Sequence, residues 1–283
     1  MAGGVLLLVS GPGLAAQDQR TAVLNAELAT SELSRDSGFA DAALGRFHRD
    51  GILLWPGAPV VAGTSELKRL LAALPTDSLQ LIWQPLGVEL SRDSSLGVTW
   101  GVAVVSAGPG APAPEVGSYI AAWRREGPRW TIGALVFAGL RRLPKPRLSG
   151  RIPLSKKAIE PRGASAPFAA ADIAFARLAA DSGAPVAFER WASPEAVTFG
   201  DRGLLTRGPK AIGRAVNFPA TWRWHPVAAG AARSGDLGWT VGEATISGAD
   251  GATHSKYLTI WTRGGDGAVR FLTDGGNGRP AAP

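Results

Sequence analysis

A chain of 283 residues with 45% hydrophobic content exceeds the usual single-domain size and is too apolar for a disordered protein. It contains no cysteine, which excludes disulfides, thiol catalysis, cysteine zinc sites and a lipoprotein anchor. The formal net charge of +7 is confined to residues 141–163, which hold eight Lys or Arg and one Glu, leaving 22 basic and 22 acidic residues elsewhere, so no basic domain face for nucleic acid is expected.

In chain order, the apolar run VLLLV (5–9) precedes Gly11, Pro12 and small residues up to Ala16. Residues 1–16 read as a secretory signal cleaved near Ala15 or Ala16, which implies a periplasmic or secreted protein. No Lys or Arg precedes the run, and without export the protein is cytoplasmic. No other segment reaches the roughly 20 apolar residues of a membrane span.

From residue 17 the chain is written twice. YIAAWRR (119–125) returns as YLTIWTR (257–263), so both tyrosines of the chain fall in one Tyr-x-x-x-Trp-x-Arg phrase. DSG (36–38) returns at 181–183, IWQP (82–85) as RWHP (223–226), and SLGVTWG (95–101) as DLGWTVG (236–242). A period of 138 to 145 residues suits a whole domain rather than a solenoid unit. The expected organisation is a first domain at 17–140, a basic Pro/Gly/Ser linker at 141–163 able to touch anionic surfaces, and a second domain at 164–283.

Each copy opens with an amphipathic helix, marked by Leu24 and Leu28 or by Phe168, Phe175 and Leu178, and ended by Gly38 or Gly183. A short second helix carries Leu44 and Phe47, or Phe188 and Trp191. An apolar strand and a third helix follow, the latter capped by Thr64 in one copy and started by Pro209 in the other. Four long strands complete each copy, near 79–90, 97–106, 116–125 and 129–138, then 221–232, 237–246, 255–263 and 268–274. Helices followed by antiparallel strands is the α+β pattern.

Three helices followed by strands with "SGDLGWTVGE" and the hairpin "SKYLTIWTRGGDGAVRFLTD" resemble the SnoaL-like branch of the nuclear-transport-factor-2-like superfamily. The resemblance implies two cone-shaped domains, each a curved sheet wrapped around three helices with a pocket at the open end, and an internal pseudo-dimer joined through the sheets. Relatives include isomerases, cyclases, dehydratases and binding domains, so fold leaves function open.

In a strand, residues two apart share a face. Tyr257, Thr259 and Trp261 therefore oppose Leu258 and Ile260, as Tyr119, Ala121 and Trp123 oppose Ile120 and Ala122. Both faces being apolar, each is covered: the Tyr/Trp face looks into the cone and the Ile/Leu face meets the other domain. With Trp83, Trp222 and Trp224 on the first long strand, this predicts an aromatic-lined site for a small apolar or aromatic molecule, formed by Trp222, Trp224, His225, Tyr257 and Trp261 and, in copy one, Trp83, Tyr119 and Trp123.

For catalysis, the steroid isomerases that the resemblance brings in need a carboxylate before a proline in the short strand, a tyrosine on the first helix and an acid on the third long strand. Trp55 or Gly200 takes the first place, and the other two are vacant in both copies. Copy two alone adds His225, Asp236, His254 and Asp274, so an isomerase, lyase or hydrolase site built on His225 and Asp236 is the alternative. Asp236 and Asp274 also read as turn residues, His254 as part of an exposed hairpin, and His48 as a helix-surface residue. The three histidines lack metal-ligand spacing and no cofactor signature is found. A non-catalytic interaction scaffold with filled pockets is the remaining alternative.

Overall fold

The computed structural model describes residues 12–75, 79–107, 113–147 and 163–281. Residues 1–11 of the signal expected at 1–16, and most of the basic segment, lie outside them, whereas residues 12–16 belong to the first helix. No described helix is long and apolar enough to cross a membrane.

The first domain contains helices α1 (Pro12–Ser37), α2 (Phe39–Arg46) and α3 (Thr64–Ala72). Its strands are β1 (Phe47–Leu54), β2 (Val61–Ala62), β3 (Leu79–Leu90), β4 (Leu96–Ala107), β5 (Glu115–Glu126) and β6 (Arg129–Ala138), in sheet order β2-β1-β6-β5-β4-β3. The second domain repeats this with α4 (Ala166–Ser182), α5 (Ala184–Trp191), α6 (Pro209–Ala215) and strands β7 (Ala192–Phe199), β8 (Leu205–Arg207), β9 (Thr221–Ala231), β10 (Leu237–Gly248), β11 (Gly251–Arg263) and β12 (Val269–Gly278), in order β8-β7-β12-β11-β10-β9. The duplicated α+β architecture is thus present element for element. The sheets are mixed rather than antiparallel, because β1 runs parallel to β6 and β7 parallel to β12.

Gly38 and Gly183 explain the matching entry angles of the helices. Both have φ near +89° with extended ψ, a conformation open to glycine, and each closes one helix by donating to Ser34 O or Ala179 O while beginning the next. Two local expectations change. Gly63, not Thr64, precedes α3, since its φ of +85° makes the sharp turn that a threonine resists. His48 belongs to β1 and is buried, its Nε2 3.0 Å from Glu126 Oε1, because the chain leaves the helix one residue earlier, at Phe47.

Period-two alternation sorts the strands as expected. Tyr119, Ala121 and Trp123 belong to the core beneath the first domain's helices, and Trp261 to the core of the second. Ile120, Ala122, Leu258 and Ile260 share a third core formed by the helix-free faces of both sheets. The turns beside this interface interlock: Arg92 N donates to Asp236 Oδ2 at 3.0 Å, and Arg233 N to Ser95 Oγ at 3.0 Å. At the other end Asn277 Nδ2 donates to Leu54 O and to Phe137 O, both at 2.7 Å, occupying carbonyls across the domain boundary.

The start of the basic segment is not a free linker. Leu140 and Leu143 are buried in the first core, Trp55 Nε1 donates to Pro144 O at 2.8 Å, and Arg147 N donates to Ala73 O at 3.0 Å. Two apolar side chains in a basic run suffice to dock it.

Candidate functional site

Each domain holds one carboxylate from its first helix against the long strands. In the first, Glu27 accepts from Trp83 Nε1, from Thr99 Oγ1 and, at 2.9 Å, from Trp123 Nε1. In the second, Asp172 accepts from Trp224 Nε1 at 2.9 Å and from the Tyr257 hydroxyl at 3.0 Å, while Trp261 Nε1 donates to Thr240 Oγ1 at 2.8 Å. Carboxylate, first-strand Trp, second-strand Thr and third-strand Trp therefore recur at matching positions. Burial pushes Glu27 up to about 7 and Asp172 up to about 6, against the hydrogen bonds that favour their ionised forms.

Tyr257 differs from its counterpart. It reaches Asp172 across Gly242, opposite it in the ladder, where a β-carbon would stand 2.1 Å from the hydroxyl; Tyr119 likewise faces a glycine, Gly101, so the glycine alone does not set the difference. The Tyr119 hydroxyl is buried without a hydrogen bond.

The decisive contrast lies at the open ends of the two cones. In the first domain Phe39, Trp55 and Phe137 pack on one another with centroid separations of 5.0, 5.6 and 6.2 Å, and Trp83 joins them. Ladder register pairs Phe137 with Tyr119 and Gly276 with Tyr257, so Gly276 takes the place of Phe137. By the same registers Gly200 follows the strand position of Trp55, and Ala184 follows Gly183 as Phe39 follows Gly38. Three aromatic rings become Ala, Gly and Gly.

The second domain consequently contains a cavity of about 470 Å³, within the usual range for a small-molecule site. Its wall includes Phe175, Phe188, Trp222, Trp224 and Tyr257, and its polar groups include Thr259, His254 and Asp274. Asp274 keeps some surface toward the cavity and its Oδ2 accepts from Thr259 Oγ1 at 2.5 Å. Burial, reinforced by the charge of nearby Asp172, raises Asp274 to about 7, and the Thr259 bond only partly opposes this. The first domain has Ala121 and Leu135 at this pair of positions.

The sequence-predicted site residues divide accordingly. Trp222, Trp224 and Tyr257 line the cavity, whereas Trp261 is fully buried beneath it. Trp83, Tyr119 and Trp123 are buried within the filled first cone. His225 is exposed on the opposite face of β9, beside Arg177 and Ile173, because strand alternation turns it away from the face shared by its neighbours Trp224 and Trp222. Asp236 ties two turns together at the domain interface, so His225 and Asp236 do not form a pair. Asp274 lies on β12 rather than in a turn: its glycine neighbours continue the strand, and at Gly276 a β-carbon would meet Lys256 O at 2.5 Å. His254 lines the cavity mouth, with Nδ1 3.2 Å from Thr245 Oγ1.

Glu27, Asp172 and Thr259 are not expected as site groups from the sequence, and Asp274, one of the acid candidates of copy two, reads there as a turn residue. One signal was available: Glu27 and Asp172 lie 145 positions apart, the offset also separating Asp36 from Asp181. Among the described residues no cluster of three potential ligands is placed to hold a metal ion.

No protein-family model and no curated protein matches the chain. Solved structures do. A nuclear-transport-factor-2-like protein with a cystatin-like fold from Novosphingobium aromaticivorans is 18% identical, with 46% of this chain and 90% of that one covered and a TM-score of 0.37. A ketosteroid isomerase-like protein from Erwinia carotovora atroseptica is 15% identical, covering 41% and 92%, with a TM-score of 0.34. The Δ5-3-ketosteroid isomerase from a Mycobacterium species is 16% identical, covering 39% and 91%, with a TM-score of 0.33.

Proposed function

We propose that this tandem α+β protein binds a small, largely apolar or aromatic molecule in its second domain, with the first domain serving as a packed partner. The observation that carries the reading is the cavity of about 470 Å³ that opens where Trp55 and Phe137 give way to Gly200 and Gly276, both of which line it. Aromatic walls supply apolar contact, and Asp274 with Thr259 supplies a polar anchor of fixed position. The same residues favour a second reading, acid–base chemistry on the bound molecule, because a carboxyl group titrating near 7 at a cavity wall is suited to exchange protons. Export, read from the apolar run at 5–9, completes the proposal, and N-terminal sequencing of the protein made by a bacterial host tests it.

Native mass spectrometry of the purified protein, combined with tryptophan-fluorescence titration against small aromatic compounds, tests binding. A retained mass or saturable quenching is expected, and both disappear in Ala244→Trp, which places an indole inside the cavity. Absence of any saturable binding by the parent protein overturns the reading.

A further inference from the structure

The inner part of the second cone combines two carboxyl groups with aromatic walls, and among the described residues no cation is in contact with either acid. Asp172 and Asp274 come from different elements, α4 and β12, and lie close enough for the charge of one to disfavour ionisation of the other. Asp172 accepts one hydrogen bond on each oxygen, from Trp224 and from Tyr257, with Thr240 beside it. Asp274 has one intramolecular donor, Thr259, and keeps exposed surface toward the cavity.

The nearest basic groups do not neutralise it. Lys256 follows the strand alternation onto the other face of the sheet, where its Nζ donates to Asn277 Oδ1 and, at 3.0 Å, to Gly278 O. His254 is at the mouth and engages Thr245. Arg279 is occupied by Glu243 at 3.4 Å. An ionised Asp274 is therefore a carboxylate without a counter-ion, facing a space bounded by indole, phenol and phenyl rings.

A positively charged ligand removes both penalties at once: it supplies the opposite charge, and its surface meets the negative faces of aromatic rings. A neutral ligand leaves the two carboxyl groups uncompensated, and an anion adds a third like charge. Resting on the binding reading above, we propose that the second-domain cavity is selective for an organic ammonium ion carrying an apolar or aromatic body, with the ammonium group at Asp274 and the body against Trp222, Trp224 and Phe188.

The test uses three probes of matched size on the full chain at pH 8: 2-phenylethylammonium, 2-phenylethanol and phenylacetate, titrated by calorimetry and tryptophan fluorescence. The ammonium is expected to bind about tenfold or more tightly than the alcohol, as a charge-assisted hydrogen bond with cation–π contact implies, and phenylacetate to bind weakest. In Asp274→Asn the preference for ammonium over alcohol collapses while the affinity for the alcohol persists. The double variant Thr259→Ala/Asp274→Leu, which copies the Ala121 and Leu135 pair of the first domain, guards against misfolding and is expected to favour the alcohol. Equal binding of alcohol and ammonium by the parent protein, or an ammonium preference that survives both variants, overturns this inference and leaves the binding reading standing. Failure of all three probes, together with no retained ligand, overturns both.

Discussion

Phe39, Trp55 and Phe137 fill the open end of one cone, and Gly200 and Gly276 leave the other open, although both cones have the same strand order and a carboxylate from the first helix that accepts from a tryptophan of the first long strand. The second domain compensates elsewhere. Phe175, Phe188, Trp191 and Phe271 pack against one another and against Trp261, with the Phe175 and Phe188 centroids 4.9 Å apart at the cavity wall. The aromatic rings have moved along the cone rather than vanished, so stability is retained while space is created. In the first domain the 140–147 segment adds Leu140 and Leu143 to the plug, a service the end of β12 does not perform for the second. One copy is thereby packed throughout, and the other leaves a cavity beside its carboxylate.

The contrast can be broken most strongly at Trp123. This indole is fully buried and donates to Glu27, so Trp123→Ala costs about 3–5 kcal/mol of unfolding free energy, read from the denaturant midpoint. A smaller effect is expected from pH. The folded pKa of Glu27, about 7, lies above its ordinary value of 4.5, so the stability linked to its protonated form is complete below 4.5 and lost as pH rises through 7. The loss amounts to about 3 kcal/mol across that window, and Glu27→Gln flattens it. Asp172 and Asp274 are raised in the same direction, so whatever slope survives in Glu27→Gln belongs to the second domain.

Removing part of the plug sharpens the comparison. Leu143→Ala is expected to cost about 2 kcal/mol and to admit a hydrophobic fluorescent dye that the parent first domain excludes. The smallest change in stability is expected at Trp222, which is only half-buried and whose indole N–H has no partner. Trp222→Ala costs below about 1 kcal/mol in thermal or chemical unfolding but weakens aromatic-probe binding several-fold. A stability loss at Trp222 equal to that at Trp123 contradicts the division of labour between the cones.

Much of the architecture was legible in local pattern. The doubled Tyr-x-x-x-Trp-x-Arg phrase marks the same strand in each domain, and its alternation assigns Tyr257 to the cone and Leu258 to the interface, because both properties depend on neighbours within a few residues. The candidate site was less legible. Asp274 sits among Gly275, Gly276 and Gly278 and reads as part of a turn, yet those glycines continue the strand, and at Gly276 the backbone of Lys256 comes too close for a β-carbon. Glu27 and Asp172 look like ordinary helix acids, since the indole groups that meet them come from strands more than 50 positions away. His225 drew attention as a histidine beside two tryptophans, but a one-residue step along a strand put it on the other face.

The amino-acid sequence by itself determined that two like domains form and which strand faces they join, because helix and strand periodicities are set by short-range geometry and repeated offsets reveal duplication. Only the tertiary structure decided that the first cone is filled, that the second is open, and that Asp274 faces the space inside it with no basic partner among the described residues. Those properties are sums over side chains brought together from distant elements, and the substitution of three rings by Ala184, Gly200 and Gly276 has meaning only where Phe39, Trp55 and Phe137 are seen to touch.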